Sequence, residues 1–174
     1  MQQQRGRAAG VDVVQWRGVA VHAGGFHIVI AVAVAFATVL PAQETDPSRT
    51  AVLLMHHRKL DRWLQPGGHA DGDTDMRLVA LKECAEETGV SLESIRLLGD
   101  GIFDVDIHAT QEPHPDAQEH HHIDIRYLVE IDDRIPVPGN EESFELRWVE
   151  IPMVARLSNS RSTLRMLDKT RKMR

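Results

Sequence analysis

Residues 26–40, FHIVIAVAVAFATVL, alternate large Ile28, Ile30, Val32, Val34 and Phe36 with smaller Val29, Ala31, Ala33, Ala35 and Ala37. A period of two with a large and a small face predicts a buried strand. An apolar run after a basic leader and before LPAQ is also the pattern of a signal peptide or short membrane anchor. The run is shorter than the roughly 20 residues that span a bilayer, and its alternation favours the strand. AVLLMHH at 51–57 reads as the partner strand, reached through the polar turn PAQETDPSRT. Residues 1–25 hold no sustained period. They leave open a flexible leader, a short strand at VDVVQW or a mis-set start.

The period changes at 66–90, PGGHADGDTDMRLVALKECAEETGV, where a glycine-rich turn leads into a Gly- and Pro-free stretch closed by Thr-Gly. At 3.6 residues per turn, Glu83, Glu86 and Glu87 share one helix face. Leu78, Leu81 and Ala85 fall roughly opposite and predict the stripe that packs on a core. Asp73 or Thr74 is the expected N-cap, and Gly89 the expected left-handed residue past the end. An acidic helix face is ordinarily solvated. Here the preceding glycines let backbone carbonyls approach an ion closely. Such oxygen donors suit a hard cation like Mg²⁺, held by one or two carboxylates, waters and substrate phosphates. Arg58, Lys59 and Arg62 cluster just upstream, either as surface charge or directed at phosphates.

Beyond the helix, SLESIRLLGDGIFDVDIHAT predicts a strand pair or one bent strand, with Phe103, Val105 and Ile107 alternating with Asp104, Asp106 and His108. HHIDIRYLVEI alternates Ile123, Ile125, Tyr127, Val129 and Ile131 with His122, Asp124, Arg126 and Leu128. If the two pair as a hairpin across QEPHPDAQEH, their polar faces coincide. That face is then either solvated or a substrate wall beside the acidic helix, built from Asp106, His122, Asp124 and Arg126. Arg126 would point to phosphate or neutralise Asp104 or Asp106. His114, His120, His121 and His122 suggest zinc, yet they lack a cysteine and lie largely in a Pro-containing loop. A pH-sensitive or supporting role for His120 or His122 is a better expectation than direct ligation. FELRWVEI then predicts a strand, PMVARL a short helix and SRSTLRMLDKTRKMR a terminal helix.

Composition narrows the classes. At 174 residues the chain suits one domain with a real core, and no internal repeat shows. A formal charge of -6 argues against a sequence-independent nucleic-acid binder, which needs a basic stripe. Cys84 is the single cysteine, so there is no intrachain disulfide, and its place toward the helix flank predicts packing rather than nucleophilic chemistry.

The segment from Gly68 to Val90 resembles the Nudix box, G-x5-E-x7-R-E-U-x-E-E-x-G-U with U aliphatic. Gly68, Glu83, Glu86, Glu87, Gly89 and Val90 fall in register, with Cys84 at the first aliphatic position. Thr74 stands where the first glutamate belongs and Lys82 where the arginine belongs. These departures bear on the ion pair that usually holds loop to helix more than on the metal site. The resemblance implies an α/β fold, a mixed β-sheet sandwiched between α-helices, over residues 26–174 after an N-terminal extension at 1–25. It implies metal-dependent hydrolysis of a pyrophosphate in a nucleoside diphosphate linked to another moiety. Mg²⁺ or Mn²⁺ would be held by Glu83 and Glu87, with Glu86 as further ligand or water-positioning base and the Gly68 carbonyl as another donor. Glu141 and Glu142 are candidates by place for a late-loop carboxylate. The expected partner is a nucleotide-type small molecule in the cytoplasm, with no sequence-specific nucleic acid, no membrane and a homodimer allowed. A catalytically silent Nudix-like nucleotide-binding module is the alternative.

Overall fold

The computed structural model describes residues 7–8, 11–16, 19–22, 28–39, 51–109 and 120–172. In chain order these form strands β1 (Arg7–Ala8), β2 (Val11–Trp16), β3 (Val19–His22), β4 (Ile28–Val39), β5 (Ala51–His57), β6 (Arg62–Leu64) and β7 (Gly67–His69), then helix α1 (Met76–Thr88). Strands β8 (Ile95–Leu97), β9 (Asp104–Ala109), β10 (His120–Ile131) and β11 (Ser143–Glu150) follow, and α2 (Ile151–Leu157) and α3 (Arg161–Lys172) close the chain. The strand expected at 26–40 is β4, and it runs parallel to β10 from His120↔Ile28 to Glu130↔Thr38. Its other neighbours, β3, β5 and β7, are antiparallel, as are β8 and β9 on β10 and β11 on β5. The sheet is therefore mixed. VDVVQW is strand β2, one of the alternatives for the N-terminal segment. The turn at 41–50, the loop at 111–119 with His114, and the side chain of His120 lie outside the described residues.

Alternation along β5 and β10 sorts the core into two layers. Leu53, Val129 and Ile131 face α1 and pack with Cys84 and Val90. Val52, Leu54 and Leu128 face the other way, against Val149 of β11, Val154 of α2 and Met166 and Leu167 of α3. Helices thus cover both faces, and the α/β/α sandwich stands.

Helix α1 seats differently from the expected stripe. Val79, Ala80, Cys84, Glu87 and Thr88 are its buried residues, while Leu78 is exposed and Leu81 and Ala85 lie at the margin. Small Ala80 and Cys84 at the centre let the helix approach the sheet closely, which outweighs the volume of Leu78. Cys84 is fully buried at the centre of that contact, not on the flank. The N-cap is Asp75, whose Oδ1 accepts from Leu78 N at 3.1 Å, rather than Asp73 or Thr74. Asp73 instead accepts from Asp75 N at 3.0 Å, pre-forming the turn ahead of the cap. At the other end Gly89 is left-handed, φ 73°, and donates to Ala85 O.

Strand β9 pairs with β10 in the register His122↔His108, Asp124↔Asp106 and Arg126↔Asp104, so the polar faces do coincide. That face is buried rather than solvated: Asp104 and Arg126 are each 3% exposed. The apolar alternates point out, with Val105 45% and Ile107 64% exposed. The inversion has a physical cause in α3, which lays Arg165 and Lys169 over the carboxylates.

Candidate active site

Strand β7 and helix α1 build the acidic centre together. Glu87 is 4% exposed, and the Gly67 N–H donates to its Oε2 at 2.7 Å. Glu83, one turn earlier, lays its carboxylate on the Gly68 backbone, so that a Cβ there would meet Glu83 Oε2 at 2.1 Å. Glu86 is exposed on the same helix face. The fourth acid, Glu142, arrives on the loop before β11 and is close enough to act on both Glu83 and Glu87. Several contacts hold that loop. Gly139, φ 76°, donates its N–H to Thr88 O at 3.1 Å, and a Cβ there would meet Leu146 Cδ1 at 2.6 Å. Asn140 Oδ1 accepts from Glu142 N at 2.9 Å. Arg58 clamps the loop from outside: its backbone N donates to Glu142 O at 2.7 Å, its Nε to Glu141 O at 3.0 Å and its Nη2 to Ser143 O at 2.9 Å. The arginine expected at a phosphate thus directs its guanidinium to loop carbonyls.

Burial, and then crowding, govern the electrostatics. Burial pushes the Glu87 carboxyl up to about 8; the Gly67 N–H pulls back, and Glu142, Glu83 and Glu86 push further. Glu83 is raised by burial first, then by Glu86, Glu142 and Asp71. The charged neighbours acting on both are all acids, a repulsion that a bound cation would relieve. Burial, and then Glu87, push the Cys84 thiol up to about 12, so it supplies no thiolate at neutral pH.

The other predicted residues gather elsewhere. Ile125 and Tyr127 pack toward α1 with Val79 and Ala80, so Asp124 and Arg126 face the opposite side of the sheet. The expected wall therefore lies across the sheet from the acidic helix, not beside it. Arg126 Nη2 donates to Asp124 Oδ2 at 2.6 Å and Nη1 to Asp104 Oδ2 at 3.3 Å, with Asp106 Oδ2 at 3.7 Å. Arg165 Nη2 reaches Asp104 at 2.6 Å and Asp106 at 3.0 Å, and Lys169 Nζ reaches Asp104 Oδ1 at 2.5 Å. Burial pushes Asp104 up, but Arg165 and Lys169 more than offset it and hold the carboxyl below its ordinary value. Arg165 is raised in turn, by Asp104 and then Asp106. Sequence reading missed Arg165 and Lys169, whose only signal is an i, i+4 pair inside a basic tail. It also missed His69, which with the expected His108 flanks His122.

A family model described as NUDIX domain matches residues 32–168. The chain belongs to the NUDIX family. That places it among Nudix hydrolases and accounts for the acidic helix. Solved structures repeat the fold. A C. elegans Ap4A hydrolase, as a binary complex, matches with TM-score 0.63 at 16% identity, covering 82% of this chain and 96% of that one. The E. coli dihydroneopterin triphosphate pyrophosphohydrolase gives 0.61 at 13% identity, covering 80% and 92%. The NUDIX domain of a Shewanella oneidensis protein complexed with ADP ribose gives 0.55 at 16%, covering 82% and 86%. Among curated proteins, none matches the chain.

The lysine at the arginine position of the Nudix box finds a partner beside Thr74. Lys82 Nζ lies 3.5 Å from Asp73 Oδ2, so a loop-to-helix ion pair forms with Asp73, one residue before Thr74. Lysine keeps the charge but lacks the planar fork of arginine, and the pair is largely exposed. A pair this exposed and screened contributes little to stability.

Two substitutions separate the shaping of this Nudix centre from its stability. Gly68→Ala is expected to drive the Glu83 carboxylate off the strand. Because a flexible side-chain end gives way, Tm should change little while Mg²⁺-induced stabilisation shrinks sharply; thermal melts with and without Mg²⁺ read both. Arg58→Ala removes two charged hydrogen bonds that position the Glu142 loop, each about 1.5–3 kcal/mol. Turnover should fall at least about tenfold with KM little changed, as steady-state kinetics would show. A raised KM with unchanged kcat would mean that Arg58 touches substrate instead.

Proposed function

We propose that this Nudix hydrolase cleaves the pyrophosphate bond of a nucleoside diphosphate linked to another moiety, as a cytoplasmic enzyme dependent on Mg²⁺ or Mn²⁺. The observation that carries the reading is the buried Glu87 carboxylate, held by the Gly67 N–H and surrounded by Glu83, Glu86 and Glu142. Hard oxygen donors in this number suit a cation of that class. Glu83 and Glu87 would hold it, with Glu86 and the Gly68 carbonyl as further donors. A cation bound there would neutralise the diphosphate and lower the pKa of attacking water.

The chain's own groups do the rest. The Gly67 N–H fixes one Glu87 oxygen and so orients the other. Glu142, on a separate and clamped loop, would take a proton from water, and Glu86 would position that water. Arg58 serves the centre through the loop it holds. The structural neighbours, an Ap4A hydrolase, a dihydroneopterin triphosphate pyrophosphohydrolase and a domain complexed with ADP ribose, all concern phosphoanhydride-bearing compounds, which supports that substrate class. No helix among the described residues is long and apolar enough to cross a membrane.

The test is product release from a panel of nucleoside triphosphates, dinucleoside polyphosphates, nucleoside diphosphate sugars and capped RNA, with Mg²⁺, with Mn²⁺ and with chelator. Cleavage at a phosphoanhydride that chelator abolishes is the expected result. Nucleotide binding without cleavage of any member would make the chain a silent binding module.

A further inference from the structure

We infer that His108, His122 and Asp124, with His69 beside them, form a second metal site, for a borderline ion such as Zn²⁺. It lies on the sheet face opposite the acidic helix, goes beyond the hydrolase reading and does not depend on it. His108 and His122 are direct cross-strand partners in the β9–β10 ladder, with ring centroids 5.5 Å apart and planes at 71°. Asp124 follows His122 by two residues and shares its face. One donor atom from each of the three lies within 4.8 Å of the other two. His69 arrives from β7 and sets its ring edge-on to His122, with centroids 5.2 Å apart. The rows of the sheet explain the meeting. His69 pairs with Val32, Val32 with Asp124, and Asp124 with Asp106, so one row crosses four strands.

The chemistry selects the ion. Nitrogen-rich donors with one carboxylate suit zinc and its neighbours, whereas Mg²⁺ takes oxygen. The surroundings supply what orients such donors. Arg126 Nη2 holds Asp124 Oδ2 at 2.6 Å, and Asp106 Oδ2 stands 3.5 Å from His108 Nδ1. Asp104, Asp106 and Asp124 are three acids against the three cations Arg126, Arg165 and Lys169. Donors around zinc stand about 3.4 Å apart for bonds of about 2.1 Å, so the site closes by small rotations. His69 and His108 are exposed and have room to turn. An ion here would staple β7 to β9 and β10, and β7 is the strand whose Gly67 and Gly68 shape the acidic centre.

Metal-stripped full-length protein dialysed against Zn²⁺ in excess Mg²⁺ should retain one equivalent by elemental analysis. Titration with Co²⁺ should give the intense visible absorption of a low-coordinate nitrogen-ligated ion. Both should persist in Glu87→Gln. In His108→Ala and in His122→Gln the Co²⁺ affinity should fall at least tenfold. His108 is exposed, so its replacement keeps the test open if His122→Gln fails to fold. Unchanged Co²⁺ affinity and spectrum in His108→Ala, or loss of the equivalent in Glu87→Gln, would overturn the site.

Discussion

Glu87→Gln is expected to lower turnover by at least about a hundredfold while leaving the metal-free protein as stable as the parent or more so. Groups that merely orient a metal ligand already cost about 10–100-fold when removed, and a direct ligand should cost no less. The stability gain follows because glutamine keeps the size and the Gly67 hydrogen bond and is neutral at every pH, whereas the buried Glu87 carboxyl must either hold a proton or bear a charge that three acids oppose. Burial first, and then crowding by those acids, sets the pH dependence. The Glu87 carboxyl lies at about 8 in the folded chain against 4.5 as its ordinary value. Between these limits the folded protein keeps a proton that the unfolded chain has released. The contribution to stability is therefore complete below about 4.5 and is lost as pH rises through about 8, with a slope of up to about 1.4 kcal/mol per pH unit. Metal-free parent should lose Tm across that window, and Glu87→Gln should flatten the decline. Added Mg²⁺ should act oppositely, its stabilisation growing with pH because the ligand must first lose its proton. Melts from pH 5 to 8.5, with and without Mg²⁺, carry both readings. An active Glu87→Gln enzyme with an undiminished Mg²⁺ shift would remove Glu87 from the centre.

The acidic centre was legible because its information is local. Helical spacing puts Glu83, Glu86 and Glu87 together in any fold that keeps the helix, and the glycines that meet them precede it directly. The β9–β10 register was legible for a similar reason: alternation, once paired, leaves the polar residues opposite one another. What alternation leaves open is which face goes inward. Asp104 can be buried only because Arg165 and Lys169, some sixty residues later on α3, reach back to it. Nothing near Asp104 announces them. The α1 stripe failed on the opposite kind of detail, since volume suggested Leu78 and Leu81 whereas close approach selected Ala80 and Cys84. Arg58 shows the same limit. Its neighbours in sequence suggest a phosphate, but its partners are carbonyls of Glu141 and Ser143 on a distant loop.

Arg126→Met should be the most destabilising change at any polar position of the β9–β10 pair. The guanidinium is buried and supplies the short contact to the buried Asp124 carboxylate, whereas Asp104 keeps Arg165 and Lys169. Removing one partner of a buried pair strands the other, at a cost of about 3–5 kcal/mol. For a domain of this size that corresponds to a Tm lower by roughly 6–20 °C, at about 2–4 °C per kcal/mol. Arg165→Met is the control: its side chain is 41% exposed and Lys169 backs it up, so a loss of about 1 kcal/mol is expected. A second comparison separates a stranded charge from lost packing. The Nε of Arg126 is buried without a hydrogen-bond partner among the described residues, so the ion pair is not purely stabilising even in the parent. The double change Arg126→Met with Asp124→Leu removes both charges and should recover much of the loss. A double variant no better than Arg126→Met alone would mean that the arginine acts through its packing. A single variant melting with the parent would mean that water reaches Asp124 and the network contributes little to the fold.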